Sequence, residues 1–306
     1  MESESCGSID LEVALAAIRN LLATWTTTGG RKPAAQSLFE GHTDVVRCLA
    51  FTPDGALLAS GSSDGTVRLW EVAGGRAGTV LRGHVGWVLA IAFTPDGLAL
   101  ASGGNDQTVR LWDLAAGQET AAFRRRCPVS IVSLAYSPDG RIVATGDYDG
   151  AIVLREMFGG RGQVRLTGHT RSVAALAFAP EGRLPASGSH DETVKVWDAD
   201  SGAEQACLRG HGGWVFAVAF TPSGQALASA GEDGIVRLWD VGSWKERAAW
   251  TAHSDYIHAL AFSADGRILA TASRDRTIKL WDNPAYEGAL PEGRGGRDGR
   301  PARRRR

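Results

Sequence analysis

Five histidines, His42, His84, His169, His211 and His253, stand 42, 85, 42 and 42 residues apart. No other feature of the chain constrains its fold so tightly. Gly41, Gly83, Gly168 and Gly210 precede the first four, and Ala252 precedes the last. The interval of 85 holds one more unit, with Cys127 in the place of its histidine. Six units of about 40 residues therefore follow one another. A period of that length marks stacked supersecondary units, none of which buries its apolar face alone.

Each unit repeats one grammar: an apolar run, "FTPDG" or a variant, a second run ending in Ser or Thr, an Asp turn, and a third run ending in Trp-Asp or its equivalent. Short runs rich in Val, Ile, Leu and Phe between turn residues predict strands. In the first run Val46, Cys48 and Ala50 share one face, and Arg47, Leu49 and Phe51 share the other. The second unit sets Val88, Ala90 and Ala92 against Leu89, Ile91 and Phe93. One small and one large apolar face predict sheets stacked face to face, large into small. Pro and Asp-Gly supply the tight turn between the first two strands.

The Gly-His to Trp-Asp spacing, six times in register over residues 36–282, resembles the WD-repeat family of β-propellers. The resemblance implies an all-β propeller of six four-stranded blades. It also implies a buried His, Ser/Thr, Asp, Trp tetrad in each blade. By position these are His42, Ser60, Asp64, Trp70; His84, Ser102, Asp106, Trp112; His169, Ser187, Asp191, Trp197; His211, Ser229, Asp233, Trp239; and His253, Thr271, Asp275, Trp281. An ionised Asp accepts from imidazole and backbone N–H, the imidazole engages the hydroxyl, and the hydroxyl meets the indole N–H.

His, Ser and Asp together invite a hydrolase reading. A catalytic triad needs one exposed, activated nucleophile in one cleft beside an oxyanion hole. Here the trio recurs at structural spacing in five units. No P-loop, His-Glu-x-x-His or metal-ligand spacing appears, and no nucleophile elbow is read. The expectation is a non-enzyme without catalytic residues, cofactor or metal.

The third unit reads Cys127, Thr145, Asp149, Arg155 and so lacks the His and the Trp. Either Arg155 lies across the hairpin and neutralises Asp149, or the blade has drifted and is held by its neighbours. "QSLFEGH" (36–42) aligns with "TVLRGH" (79–84), which predicts that residues 36–40 supply the outer strand of the sixth blade. The alternative is an open propeller closed by another chain. The domain boundaries expected are 1–33 for a short α-helix and linker, 34–284 for the propeller, and 285–306 for an Arg/Gly-rich tail. Leu11, Leu15, Ile18, Leu22 and Trp25 form the stripe that predicts the helix, with Asp10 as N-cap.

Acids at the N-terminus, and an apolar run too short to span a bilayer, predict neither export signal nor membrane anchor. Four cysteines without paired spacing fit a reducing setting, read as cytoplasmic. A net charge of −1 argues against wholesale coating by nucleic acid. The seven arginines of residues 292–306 are the one segment suited to it, which gives the alternative of a nucleic-acid-associated protein.

The resemblance implies a rigid platform for proteins or peptides, engaged across its top face and serving a signalling or regulatory assembly. The positions placed there are those at the start of each first strand and just before each tetrad Asp. Among them are Arg47, Trp87, Leu89, Asn105, Tyr148, His190, Trp214, Phe216, Glu232, Tyr256, His258 and Arg274. Aromatic residues gather on the second, fifth and sixth units beyond the needs of the core, and Trp, Tyr and Arg are the usual interface anchors. No membrane and no small-molecule substrate is expected.

Overall fold

The computed structural model describes residues 39–72, 76–124, 129–157 and 163–286. They form antiparallel sheets, one for each sequence unit, with no helix among the described residues. The first blade holds β1 (Val46–Phe51), β2 (Leu57–Ser62), β3 (Thr66–Glu71) and β4 (Arg76–Arg82). The second holds β5 (Val88–Phe93), β6 (Ala99–Gly104), β7 (Thr108–Asp113) and β8 (Gln118–Arg124). The third holds β9 (Ile131–Tyr136), β10 (Ile142–Asp147), β11 (Ile152–Glu156) and β12 (Gln163–Leu166). The fourth holds β13 (Val173–Phe178), β14 (Pro185–Ser189), β15 (Thr193–Trp197) and β16 (Glu204–Arg209). The fifth holds β17 (Val215–Phe220), β18 (Ala226–Gly231), β19 (Ile235–Asp240) and β20 (Glu246–Thr251). The sixth holds β21 (Ile257–Phe262), β22 (Ile268–Ser273) and β23 (Ile278–Asp282).

First strands of consecutive blades pack side by side, from β1 through β5, β9, β13 and β17 to β21. The small face of one blade receives the large face of the next. Cys48, Ala59, Val67 and Leu69 thus form one cluster with Val88, Ile91, Phe93, Leu100 and Trp112. Glycine on the second strand makes room: a Cβ at Gly61 would meet Cys48 Sγ and Val88 Cγ1, both at 2.6 Å. Burying the Trp112 indole removes on the order of 200 Å² from water, an upper bound of ~5 kcal/mol.

The turn between first and second strands follows from its residues. Thr52 Oγ1 donates to Asp54 Oδ1 at 2.6 Å, which also accepts from Ala56 N at 3.0 Å, and Gly55 takes the left-handed φ of 71°. A second irregularity is less visible in the sequence. In every blade the first strand carries a bulge near its start. Val46 faces Ser62 and Cys48 faces Gly61, which leaves Arg47 opposite nothing. The corresponding extra residues are Leu89, Val132, Ala174, Phe216 and His258. A bulge frees a side chain from the ladder and turns it to a new direction.

The sixth blade departs from expectation. It has three strands among the described residues, and Phe39 and Glu40 are not in a strand. Residues 36–38 lie outside the described set, as do the N-terminal helix and the tail from 287 onward. Among the described residues no strand pairs with the outer edge of β23. Ile278 is 43% exposed, whereas its counterparts Val67, Val109, Ile152, Val194 and Val236 are at most 1% exposed. Beyond β23, Ala285 is still buried, so the packed body extends past residue 284.

Candidate protein-binding face

The turns between second and third strands, and the loops entering the first strands, share one end of the blades and are held there by a repeated network. In the second blade the Trp112 indole donates to Ser102 Oγ at 2.8 Å, Ser102 Oγ lies 2.7 Å from His84 Nε2, and His84 Nδ1 lies 2.9 Å from Asp106 Oδ2. The first, fourth, fifth and sixth blades repeat it, with imidazole to carboxylate distances between 2.8 and 3.0 Å. Since Ser accepts from the indole, its proton points to Nε2, and the assigned tautomer carries hydrogen on Nδ1 for the carboxylate.

The carboxylate is also bound from the next strand. Asp64 Oδ1 accepts from Thr66 Oγ1 at 2.7 Å and from Thr66 N at 2.9 Å. Thr108, Thr193 and Thr277 act likewise. This fifth member was overlooked in the sequence, although a Thr two residues after the Asp recurs in four units. Burial opposes the charge on Asp64, Asp191 and Asp275, but the hydrogen bonds outweigh it and hold each well below the usual carboxylate range. Burial lowers the pKa of His84 and His253 against the pull of their aspartates. A hydroxyl locked between indole and imidazole, with Ser102 wholly buried, is no nucleophile.

A Gly-x-Ser-x-Gly stretch does occur, at Gly61-Ser62-Ser63-Asp64-Gly65. It joins two strands rather than strand and helix, and Ser63 Oγ accepts from Arg47 Nε at 2.8 Å. Among the described residues no group of three or more His, Cys, Asp or Glu is placed to hold a metal ion.

The third blade does not pair Arg155 with Asp149. Asp149 is exposed, and the buried Asp147 caps the turn instead, its Oδ1 accepting from Ala151 N at 2.8 Å and Asp149 N at 3.1 Å. Arg155 stacks on Phe123 of β8, with 4.2 Å from the guanidinium carbon to the ring centroid. In the neighbouring blades a tryptophan fills that slot, so a cation–π contact replaces an indole. Cys127 lies outside the described residues.

At the exposed ends of the first strands the predicted positions sort into two groups. Seven meet in one assembly over the fourth to sixth blades. His190 stacks on Trp214 with centroids 4.3 Å apart and planes at 8°. Phe216 turns its edge to both, at 5.6 and 6.0 Å, and lies 4.8 Å from His258 and 6.0 Å from Tyr256. Glu232 Oε2 accepts from Trp214 N at 3.0 Å, and its hydrogen bond with the Tyr256 hydroxyl raises the phenol's pKa. The Arg274 guanidinium lies 5.4 Å from the Tyr256 centroid. Burial lowers the pKa of His190 and His258, favouring neutral rings.

The second group spans the first three blades, and in it the Arg47 guanidinium lies 4.6 Å from the Trp87 centroid. Leu89 is half-buried at its bulge, and Asn105 packs against Gly86. Tyr148 stands 64% exposed. The bulge explains the gathering: Phe216, released from its ladder, meets the turn residue His190 of the fourth blade, and His258, released likewise, meets Phe216.

The WD domain, G-beta repeat family model matches residues 34–71, 75–113, 123–155, 161–198, 202–240 and 244–282. This chain belongs to that family. As a WD-repeat protein it is also similar to ribosome biogenesis protein BOP1 of Rattus norvegicus, 55% identical over 51 residues, 16% of this chain and 7% of the relative. The Homo sapiens BOP1 is 56% identical over 45 residues, 14% of the chain and 6% of the relative. Ribosome biogenesis protein ERB1 of Debaryomyces hansenii is 52% identical over 40 residues, 13% and 5% respectively. These matches reach about one repeat and a small part of each relative.

The cytoplasmic placement is overturned by the relatives, which are named ribosome biogenesis proteins. The reason is physical. Cysteine spacing bears on whether the surroundings are reducing or oxidising, and it does not distinguish one reducing compartment from another.

Proposed function

We propose that this WD-repeat chain is a non-catalytic scaffold that binds proteins or peptides across the turn-bearing face, within an assembly of the kind that builds ribosomes. The observation that carries the reading is the contiguous aromatic surface over the fourth to sixth blades. Trp214 is 38% exposed there, and Trp87 is 45% exposed on the second blade. Pre-stacked aromatic side chains lose little freedom on binding, which is why such residues anchor interfaces. The polar trios that resemble catalytic machinery are consumed in holding loops to strands. The names of the relatives, ribosome biogenesis proteins, support the assembly.

The test is a pull-down from lysate with the intact chain and with a Trp87→Ala, Trp214→Ala, Tyr256→Ala variant. Partners retained by the first and lost by the second, with unchanged circular dichroism, support the reading. Retention of every specific partner by the variant sinks it.

The same proposal includes closure of the ring by residues 36–40 along β23. Phe39 packs 5.3 Å from Trp70, and Leu81 of β4 packs in one cluster with Trp112 at the aligned position. Hydrogen exchange tests it: deleting residues 36–40 should accelerate exchange of the β23 amides. Unchanged protection would show that another segment covers that edge.

A further inference from the structure

We infer that the ligand of this face is an acidic peptide segment whose carboxylates are received by Arg47 and Arg274, an inference that rests on the peptide-binding reading above. The argument begins with how the chain treats its other cations. On third strands, Arg110 pairs with Glu119, Lys195 with Glu204 at 2.6 Å, and Arg237 with Glu246. Each glutamate sits on the fourth strand opposite the tetrad tryptophan. The first blade has Ala77 at that position, and Arg68 there has no such partner. Where the blades provide an acid, the cation is neutralised.

Arg47 and Arg274 are treated differently. Arg47 is oriented by Ser63 through Nε and lies on the Trp87 ring, while its terminal nitrogens have no acid partner among the described residues. Arg274 lies on Tyr256, exposed, and likewise carries no carboxylate among the described residues. Stacking fixes the plane of each guanidinium without reducing its charge. That arrangement suits bidentate capture of a carboxylate, because little side-chain freedom remains to be lost.

The acids near these groups are already engaged by their own loops. Glu232 Oε2 accepts from Trp214 N at 3.0 Å, Asp255 Oδ1 accepts from Tyr256 N at 2.8 Å, and Asp44 Oδ1 accepts from Val45 N at 2.7 Å. The face therefore presents two oriented guanidinium groups with free donors, while these three carboxylates keep their charge but are turned to their own loops rather than to the arginines. The local complement of a fixed guanidinium without an ion-pair partner is a carboxylate, which selects a carboxylate-bearing segment with its apolar residues on Trp214 and Phe216.

The experiment is selection of a random 12-residue peptide library on the full chain, followed by fluorescence anisotropy of the enriched peptides. Arg47→Gln, Arg274→Gln, the aromatic triple variant and a labelled 15-residue oligouridine are measured in parallel. Enriched peptides should carry net negative charge. Each Arg→Gln change should weaken them about tenfold or more, and binding should weaken as salt rises. Enrichment of neutral or basic peptides, lost in the aromatic variant yet indifferent to both Arg→Gln changes, overturns the inference and leaves the binding face intact. No enrichment, or enrichment that survives the aromatic variant, overturns the face itself. Oligouridine binding that is lost with the arginines, without peptide enrichment, replaces both with an RNA-binding surface.

Discussion

Replacing Ser102 by alanine removes one oxygen and should cost far more than a hydroxyl ordinarily does. That oxygen is wholly buried, accepts from the Trp112 indole at 2.8 Å and lies 2.7 Å from His84 Nε2. Alanine leaves an indole N–H and an imidazole lone pair facing each other across a gap that a methyl group half fills. Each orphaned buried group costs about 1–3 kcal/mol, so the substitution should cost about 2–5 kcal/mol. For a chain of this size that corresponds to about 5–15 °C in Tm. Urea unfolding followed by tryptophan fluorescence measures it. The companion is Trp112→Phe, which removes the indole donor, so that the double variant strands one group fewer. The cycle should therefore show a favourable coupling of about 1–2 kcal/mol. A loss below about 0.5 kcal/mol for Ser102→Ala, or simple additivity, would refute the claim that the network is satisfied as a unit.

Other expectations follow from the same geometry. His84 and His253 have lowered pKa values, so the unfolded chain takes up their protons first. Stability should hold above about pH 6.5 and decline below it, read as Tm against pH. The depressed Asp64, Asp191 and Asp275 should add a second decline below about pH 4, continuing as the pH falls toward their folded values. Gln107, Glu192 and Arg276 hold left-handed φ values of 69°, 70° and 68° where Gly65, Gly150 and Gly234 stand in the other blades. Glycine at any of the three should leave thermal stability unchanged or raise it by up to about 1 kcal/mol. Arg155→Ala should cost about 1 kcal/mol in urea unfolding through the lost contact with Phe123, and Asp149→Ala should cost less, since Asp147 caps that turn.

The repeat, its strands and the tetrads were legible because hydrogen-bond geometry fixes residue types at constant offsets: Asp sits 22 residues after His, and Trp six after Asp. The bulges left no such trace. Arg47, Leu89, Val132, Ala174, Phe216 and His258 have no chemistry in common, and only pairing on both sides reveals that each is supernumerary. The ion-pair alternative for the third blade fails for a related reason. Sequence spacing assigned the turn to Asp149, yet Asp147, two residues earlier, reaches the same amides from a buried position. The partner of Arg155 comes from the preceding blade, a relation between blades that spacing within one unit does not show. Arg47 on Trp87 and His190 on Trp214 likewise join adjacent units.

A residue that stands outside the ladder is released from the rules that bind its neighbours. Cys48 must fit beside Gly61 and Val88, but the site of Arg47 already accepts leucine, valine, alanine, phenylalanine and histidine in the other five copies. Six such sites around one frame amount to a set of interchangeable terminals. Varying them together should yield a family of molecules with one architecture and different tastes in company.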